Sequence, residues 1–188
     1  PSYLNTQFGI KTSEGLGMAL IFTLYAITML SLWGGKLPTI FINRTGSNPY
    51  AARMRAMLIF AFVPLVVLFA QPLGTLSPWF PVVLIGLGCA AHQSWSANIY
   101  TTVSDMFPKK AIATVTGIGG MAGGVSSMLM QTCAGNLFVY ADKVQLGFMG
   151  FTGKPAGYFI IFCICSVAYL VGWTIMKTLV PKYKLITD

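Results

Sequence analysis

Residues 79–104 are numerous enough to cross a bilayer as a helix, yet they carry polar groups at their centre. The stretch opens with the apolar run Trp79-Phe80-Pro81-Val82-Val83-Leu84-Ile85-Gly86-Leu87-Gly88-Cys89-Ala90-Ala91. His92-Gln93-Ser94-Trp95-Ser96-Ala97-Asn98 follows. A helix of these 26 residues is about 39 Å long, more than the ~30 Å hydrocarbon core. A His, Gln or Asn at mid-depth costs free energy unless it meets a partner or water. The pattern points to a polar pathway or a ligand site inside a membrane protein.

Composition agrees with a membrane setting. The chain is 55% hydrophobic and 9% charged, whereas soluble domains carry about 25% charged residues. The apolar residues gather into five candidate spans, at about 16–35, 56–71, 79–104, 111–133 and 156–180. Only Lys177, at the end of the last, places a charge within them. The expected fold is all-α, one transmembrane helical bundle over 1–188 embedded in the lipid bilayer.

The charges are distributed unevenly along the chain. If it starts outside and crosses five times, the inner segments hold Lys36, Arg44, Arg53, Arg55, Lys109, Lys110, Lys177, Lys182 and Lys184. The outer segments hold Lys11, Lys143 and Lys154. Nine against three sets the orientation by the positive-inside rule, with a cytoplasmic C-terminus. No soluble basic face is present for a nucleic acid, despite the net charge of +8. Five crossings leave the termini on opposite sides, and the chain begins at Pro1 without an initiator Met. The expectation is a C-terminal piece of a longer membrane protein.

On the polar span, about 100° per residue gives two stripes. Ser94, Asn98, Thr101 and Asp105 share one, flanked by Trp95; His92, Gln93, Ser96 and Tyr100 share the other. Both cannot face lipid, so at least one meets protein or a water-filled cavity. Interhelical hydrogen bonding is the plain alternative for the cluster. His92, the sole histidine, has no second His or carboxylate within helical reach, so no metal site is expected. For the same reason it lacks the orienting group of a general base, and an integral-membrane enzyme is the weaker reading. Cys89, Cys133, Cys163 and Cys165 read as small apolar residues. Asp105 faces an unfavourable dipole at a helix C-terminus and calls for a cation, from Lys109, Lys110 or a loop arginine.

The fourth span contains Gly117-Ile118-Gly119-Gly120-Met121-Ala122-Gly123-Gly124. Its match to a dinucleotide fingerprint fails on context, because no strand precedes it. Gly119 with Gly123, and Gly120 with Gly124, instead make small-xxx-small ridges suited to close helix packing.

Three segments carry a family resemblance: Ala91–Asn98, Ser104-Asp105-Met106-Phe107-Pro108-Lys109, and Thr116–Gly124. Together they resemble the hexuronate transporters, in the anion:cation symporter branch of the major facilitator superfamily. The resemblance implies the C-terminal half of a twelve-helix bundle, from the end of helix 7 through helix 12, with the polar span as helix 10. It implies a bacterial inner-membrane secondary transporter rather than an enzyme, without a cofactor. Such a carrier would take up a hexuronate, such as glucuronate or galacturonate, with a coupling proton or sodium ion by alternating access. Its substrate would lie near His92, Gln93, Trp95, Ser96 and Asn98. Most groups for substrate charge and coupling would belong to the missing N-terminal half. Gly34-Gly35-Lys36-Leu37 is similar to the superfamily's helix 8–9 loop motif, with Pro38-Thr39 near the place of its acidic residue. Another organic anion, an aldonate or aldarate, is the alternative substrate, and a non-transporting scaffold is the third class.

Overall fold

The computed structural model describes residues 2–186, so Pro1, where the sequence reading began the chain, lies outside the described residues. Two helical segments come first. After α1 (Ser2–Phe8), three helices in series, α2 (Gly15–Thr28), α3 (Ser31–Gly34) and α4 (Leu37–Thr45), form one 31-residue path. A helix boundary falls at Gly35, where the expected span closes, and α4 carries the path beyond it. Pro38 falls in the first turn of α4, where its missing N–H leaves no bond unmade, so the helix resumes. Gly46 stops it, with a left-handed φ of 61°.

The Asn48 side chain accepts from the Ala51 amide at 2.8 Å and caps α5 (Pro49–Phe62). A 3₁₀ segment (Val63–Phe69) and α6 (Ala70–Gly74) continue that pass. The change of helix type begins at Pro64, which cannot donate to the α-helical ladder. Then come α7 (Trp79–Met106), α8 (Lys109–Lys143) and α9 (Lys154–Leu179). Helix α8 takes in residues 134–143, which the sequence reading had given to an outer loop. What remains of that loop is a small hairpin, β1 (Gly147–Phe148) against β2 (Phe151–Thr152). Its turn uses Met149 and Gly150, both at positive φ (49° and 86°), as a two-residue hairpin connection demands.

Four segments are long and apolar enough to cross a membrane: Gly15–Thr45, Pro49–Gly74, Lys109–Lys143 and Lys154–Leu179. Helix α7 is not among them, although its 28 residues extend about 42 Å. His92, Gln93 and Asn98 lower its mean hydropathy. It lies at the centre of the bundle, packed against α2, α3, α5, the 3₁₀ segment, α6 and α8, and it meets α9 through Tyr169. Enclosure by those helices covers Ser94, Asn98 and Thr102, whereas His92 and Gln93 stay exposed at the helix surface.

A core of Tyr50, Met54, Met57 and Ala61 from α5 meets Trp95 and Met106 from α7, with Trp173 and Met176 of α9 alongside. Between helices in a membrane, such packing and hydrogen bonds supply the association energy, because lipid is as apolar as leucine. Trp173 Nε1 donates to the Met54 carbonyl at 2.9 Å. The Tyr50 hydroxyl donates to the Val180 carbonyl. Beyond α9 the chain crosses the end of α7, where Ile186 N donates to Met106 O at 2.9 Å. One end of the bundle thus gathers the start of α5 with the ends of α7 and α9, and Arg53, Lys177, Lys182 and Lys184 with them. The opposite end joins Tyr3 of α1 to Tyr158 at the start of α9, their rings edge to face at 5.2 Å.

Candidate functional site

The residues near the middle of α7 divide among three directions. His92, Trp95, Ser96 and Tyr100 turn toward α8 and α9, where a cavity of about 640 Å³ opens. Gly119, Gly120, Gly123 and Gly124 form its α8 wall, and Tyr169 of α9 completes it. No Lys, Arg, Asp or Glu lines the space.

Tyr169 organises this side. Its hydroxyl is hydrogen-bonded to His92 Nδ1. Its ring meets Trp95 edge to face, with centroids 5.4 Å apart. The sequence reading missed Tyr169, which sits in a plain apolar run with no polar neighbour to mark it. Trp95 itself is only 7% exposed and belongs to the core. Trp95 lines the cavity with little of its surface free to meet a ligand.

Gln93 and Asn98 lie elsewhere. Gln93 Oε1 accepts from Ser31 Oγ at 2.9 Å, on the α2–α3 side among Phe22, Tyr25 and Met29. Asn98 is 1% exposed. Its Nδ2 donates to Ser94 O at 2.8 Å and to Gly34 O at 3.4 Å. Its direction follows from helical geometry, because six residues at about 100° each place Asn98 some 120° round from His92. The five residues expected at one ligand site therefore do not converge: His92, Trp95 and Ser96 are together, while Gln93 and Asn98 join α7 to α3 and its flank.

The glycine ridges also behave differently from the expected packing seam. A Cβ added at Gly119, Gly120, Gly123 or Gly124 would meet nothing within 4 Å. Among the described residues no helix packs on this face, and the most apolar stretch of α8 is 0% buried. The small residues instead leave the cavity open beside His92.

Charges lie away from this space. Asp105 pairs with Arg53 of α5, Nε to Oδ2 at 2.5 Å, which identifies the cation its helix-end position demanded. Glu14 lies 3.9 Å from Lys11. Among the described residues no group of three His, Cys, Asp or Glu side chains converges as a metal site.

Comparison with known proteins adds the context of this bundle. The chain is 26% identical over 185 residues to the hexuronate transporter of Escherichia coli K12. It matches the hexuronate transporter of Escherichia coli O157:H7 to the same degree. The match covers 94% of this chain, and the chain spans 38% of the length of these curated relatives. No family model matches it, and no solved structure does. The chain is a largely helical, multi-pass membrane protein, consistent with half of a major facilitator bundle and similar over nearly all its length to part of a transporter.

Proposed function

We propose that this chain is the C-terminal half of a proton-coupled secondary transporter for a sugar-acid anion, a hexuronate such as glucuronate or galacturonate. In this reading α7 also crosses the bilayer, as the third of five spans. The end carrying Arg53, Lys177, Lys182 and Lys184 faces the cytoplasm of a bacterial inner membrane. The cavity between α7, α8 and α9 is this half's share of an alternating-access pathway.

The single observation that carries the reading is the cavity beside His92, Ser96 and Tyr169, near the middle of α7. Hydroxyl and imidazole groups there suit the oxygens of a polyol. The absence of a charged lining leaves the ligand's carboxylate, and the coupling proton or sodium ion, to the other half of the carrier. His92 and Ser96 are the proposed contacts, Trp95 contributes little free surface, and Gln93 and Asn98 hold the helix that presents them. The histidine's hydrogen-bond partner is a phenol rather than a carboxylate, so the site does not offer an oriented general base.

Uptake by the complete gene product in proteoliposomes, with a pH gradient imposed, tests the proposal against a panel of hexuronates, aldonates and aldarates. Saturable hexuronate uptake that collapses with the gradient is the expected result. Uptake of aldonates or aldarates alone would move the substrate to the neighbouring anion class. No uptake of any panel member by correctly inserted protein would overturn the transporter reading.

A further inference from the structure

We infer that Tyr169 is the positioning residue of the cavity: it holds His92 as the Nε2–H tautomer, so that Nε2–H donates to an oxygen of the ligand. The inference deepens the functional reading above and rests on it for the ligand, but not for the tautomer.

The argument starts from proton placement. A phenol carries one proton and seeks an acceptor for it, and a neutral imidazole has one bare nitrogen. His92 Nδ1 is the hydrogen-bond contact of the Tyr169 hydroxyl. If Nδ1 bore the imidazole proton, the phenol's own proton would need a second acceptor. Donation from Tyr169 to Nδ1 satisfies both groups with one bond. The imidazole proton then resides on Nε2, across the ring from the phenol.

Packing keeps the phenol in place. The Tyr169 ring sits 5.4 Å from that of Trp95 and 5.9 Å from that of His92, both at steep interplanar angles of 68° and 63°. Trp95 is anchored in the α5–α7–α9 core, so the clamp on His92 is tied to the interior of the bundle. On the opposite side Gly119, Gly120 and Gly123 provide no side chain to compete for Nε2–H. With the ring neutral, the cavity therefore presents a fixed N–H donor beside open space. Its complement is an acceptor oxygen: a hydroxyl, a ring oxygen or a carboxylate oxygen of the ligand.

The test uses the full-length carrier labelled with [15N]histidine, with the His92 signals identified by their loss in His92→Gln. At a pH where the ring is neutral, the wild type is expected to give the nitrogen shift pattern of the Nε2–H tautomer. In Tyr169→Phe, which keeps the ring against Trp95 but lacks the hydroxyl, the two tautomers should mix. The same variant should raise the uptake KM about three- to tenfold with maximal rate nearly unchanged, the effect of losing one uncharged hydrogen bond. If Tyr169→Phe does not fold, a second pair decides: His92→Gln, which keeps an N–H, should retain a lower KM than His92→Phe. A wild-type signal of the Nδ1–H tautomer, or equal KM values in that pair, would overturn the inference. Failure of hexuronate uptake in a protein with the Nε2–H signal would instead strike the substrate reading and leave the tautomer standing.

Discussion

Arg53 Nε lies 2.5 Å from Asp105 Oδ2, joining the first turns of α5 to the last turn of α7, with both side chains about one-fifth exposed. The Asp105 carbonyl also accepts from the Tyr183 hydroxyl at 3.2 Å, so the segment after α9 is fastened to the same point. Because the pair is largely shielded, removing one partner leaves a charge without compensation. Asp105→Ala is expected to lower stability by about 1–3 kcal/mol. The double variant Arg53→Met with Asp105→Leu should lose less than either single change, since no charge is stranded. Thermal unfolding of the full-length protein in detergent distinguishes the two, and a double variant worse than both singles would refute the argument.

Gly34 and Ser94 form the closest seam between α3 and α7. A Cβ at Gly34 would sit 2.1 Å from Ser94 Oγ and 2.4 Å from Ser94 Cβ. Gly34→Ala should therefore separate the two helices, at a cost of about 1–3 kcal/mol. Ser94→Ala removes only the hydroxyl, and its Cβ remains in the way. Ser94→Gly in the same background should recover part of the loss. Equal stabilities of Gly34→Ala and wild type in an unfolding assay would show that the seam can yield.

The apolar runs announced most of the helical passes, and the polar centre of α7 was legible because His, Gln and Asn have no business in a greasy span. The dipole argument at Asp105 asked for a cation, and Arg53 supplies it. What the residues of α7 could not reveal was direction. Helical periodicity puts His92 and Asn98 on separate stripes but does not say which neighbour each will face. Tyr169 was invisible for a different reason: its hydrogen-bond partner His92 lies 77 residues away on another helix.

Asn98 is expected to act on stability rather than on transport. Its amide holds the Ser94 and Gly34 carbonyls inside the α3–α7 contact. Asn98→Ala should reduce folding yield and cost about 1–2 kcal/mol, with little change in uptake KM for the protein that folds. Ser96→Ala, facing the cavity, should do the reverse: near-normal stability and a raised KM. Steady-state uptake normalised to folded protein separates these behaviours, and a large KM change in Asn98→Ala would return that residue to the ligand site.

The glycines of α8 allow the cavity itself to be filled in steps. A methyl at Gly120 meets nothing within 4 Å, and alanine is the better helix former by about 0.5–1 kcal/mol. Gly120→Ala should thus be neutral or mildly stabilising. Gly120→Leu extends much further into the space beside His92 and should depress uptake at least severalfold while the protein still folds. Gly117→Leu supplies the control, since Gly117 is equally open but is not part of the cavity wall. The decisive comparison is uptake per folded carrier for the two leucine variants. Loss at position 120 with retention at 117 assigns the pathway to this cavity, whereas equal retention at both means the substrate passes elsewhere.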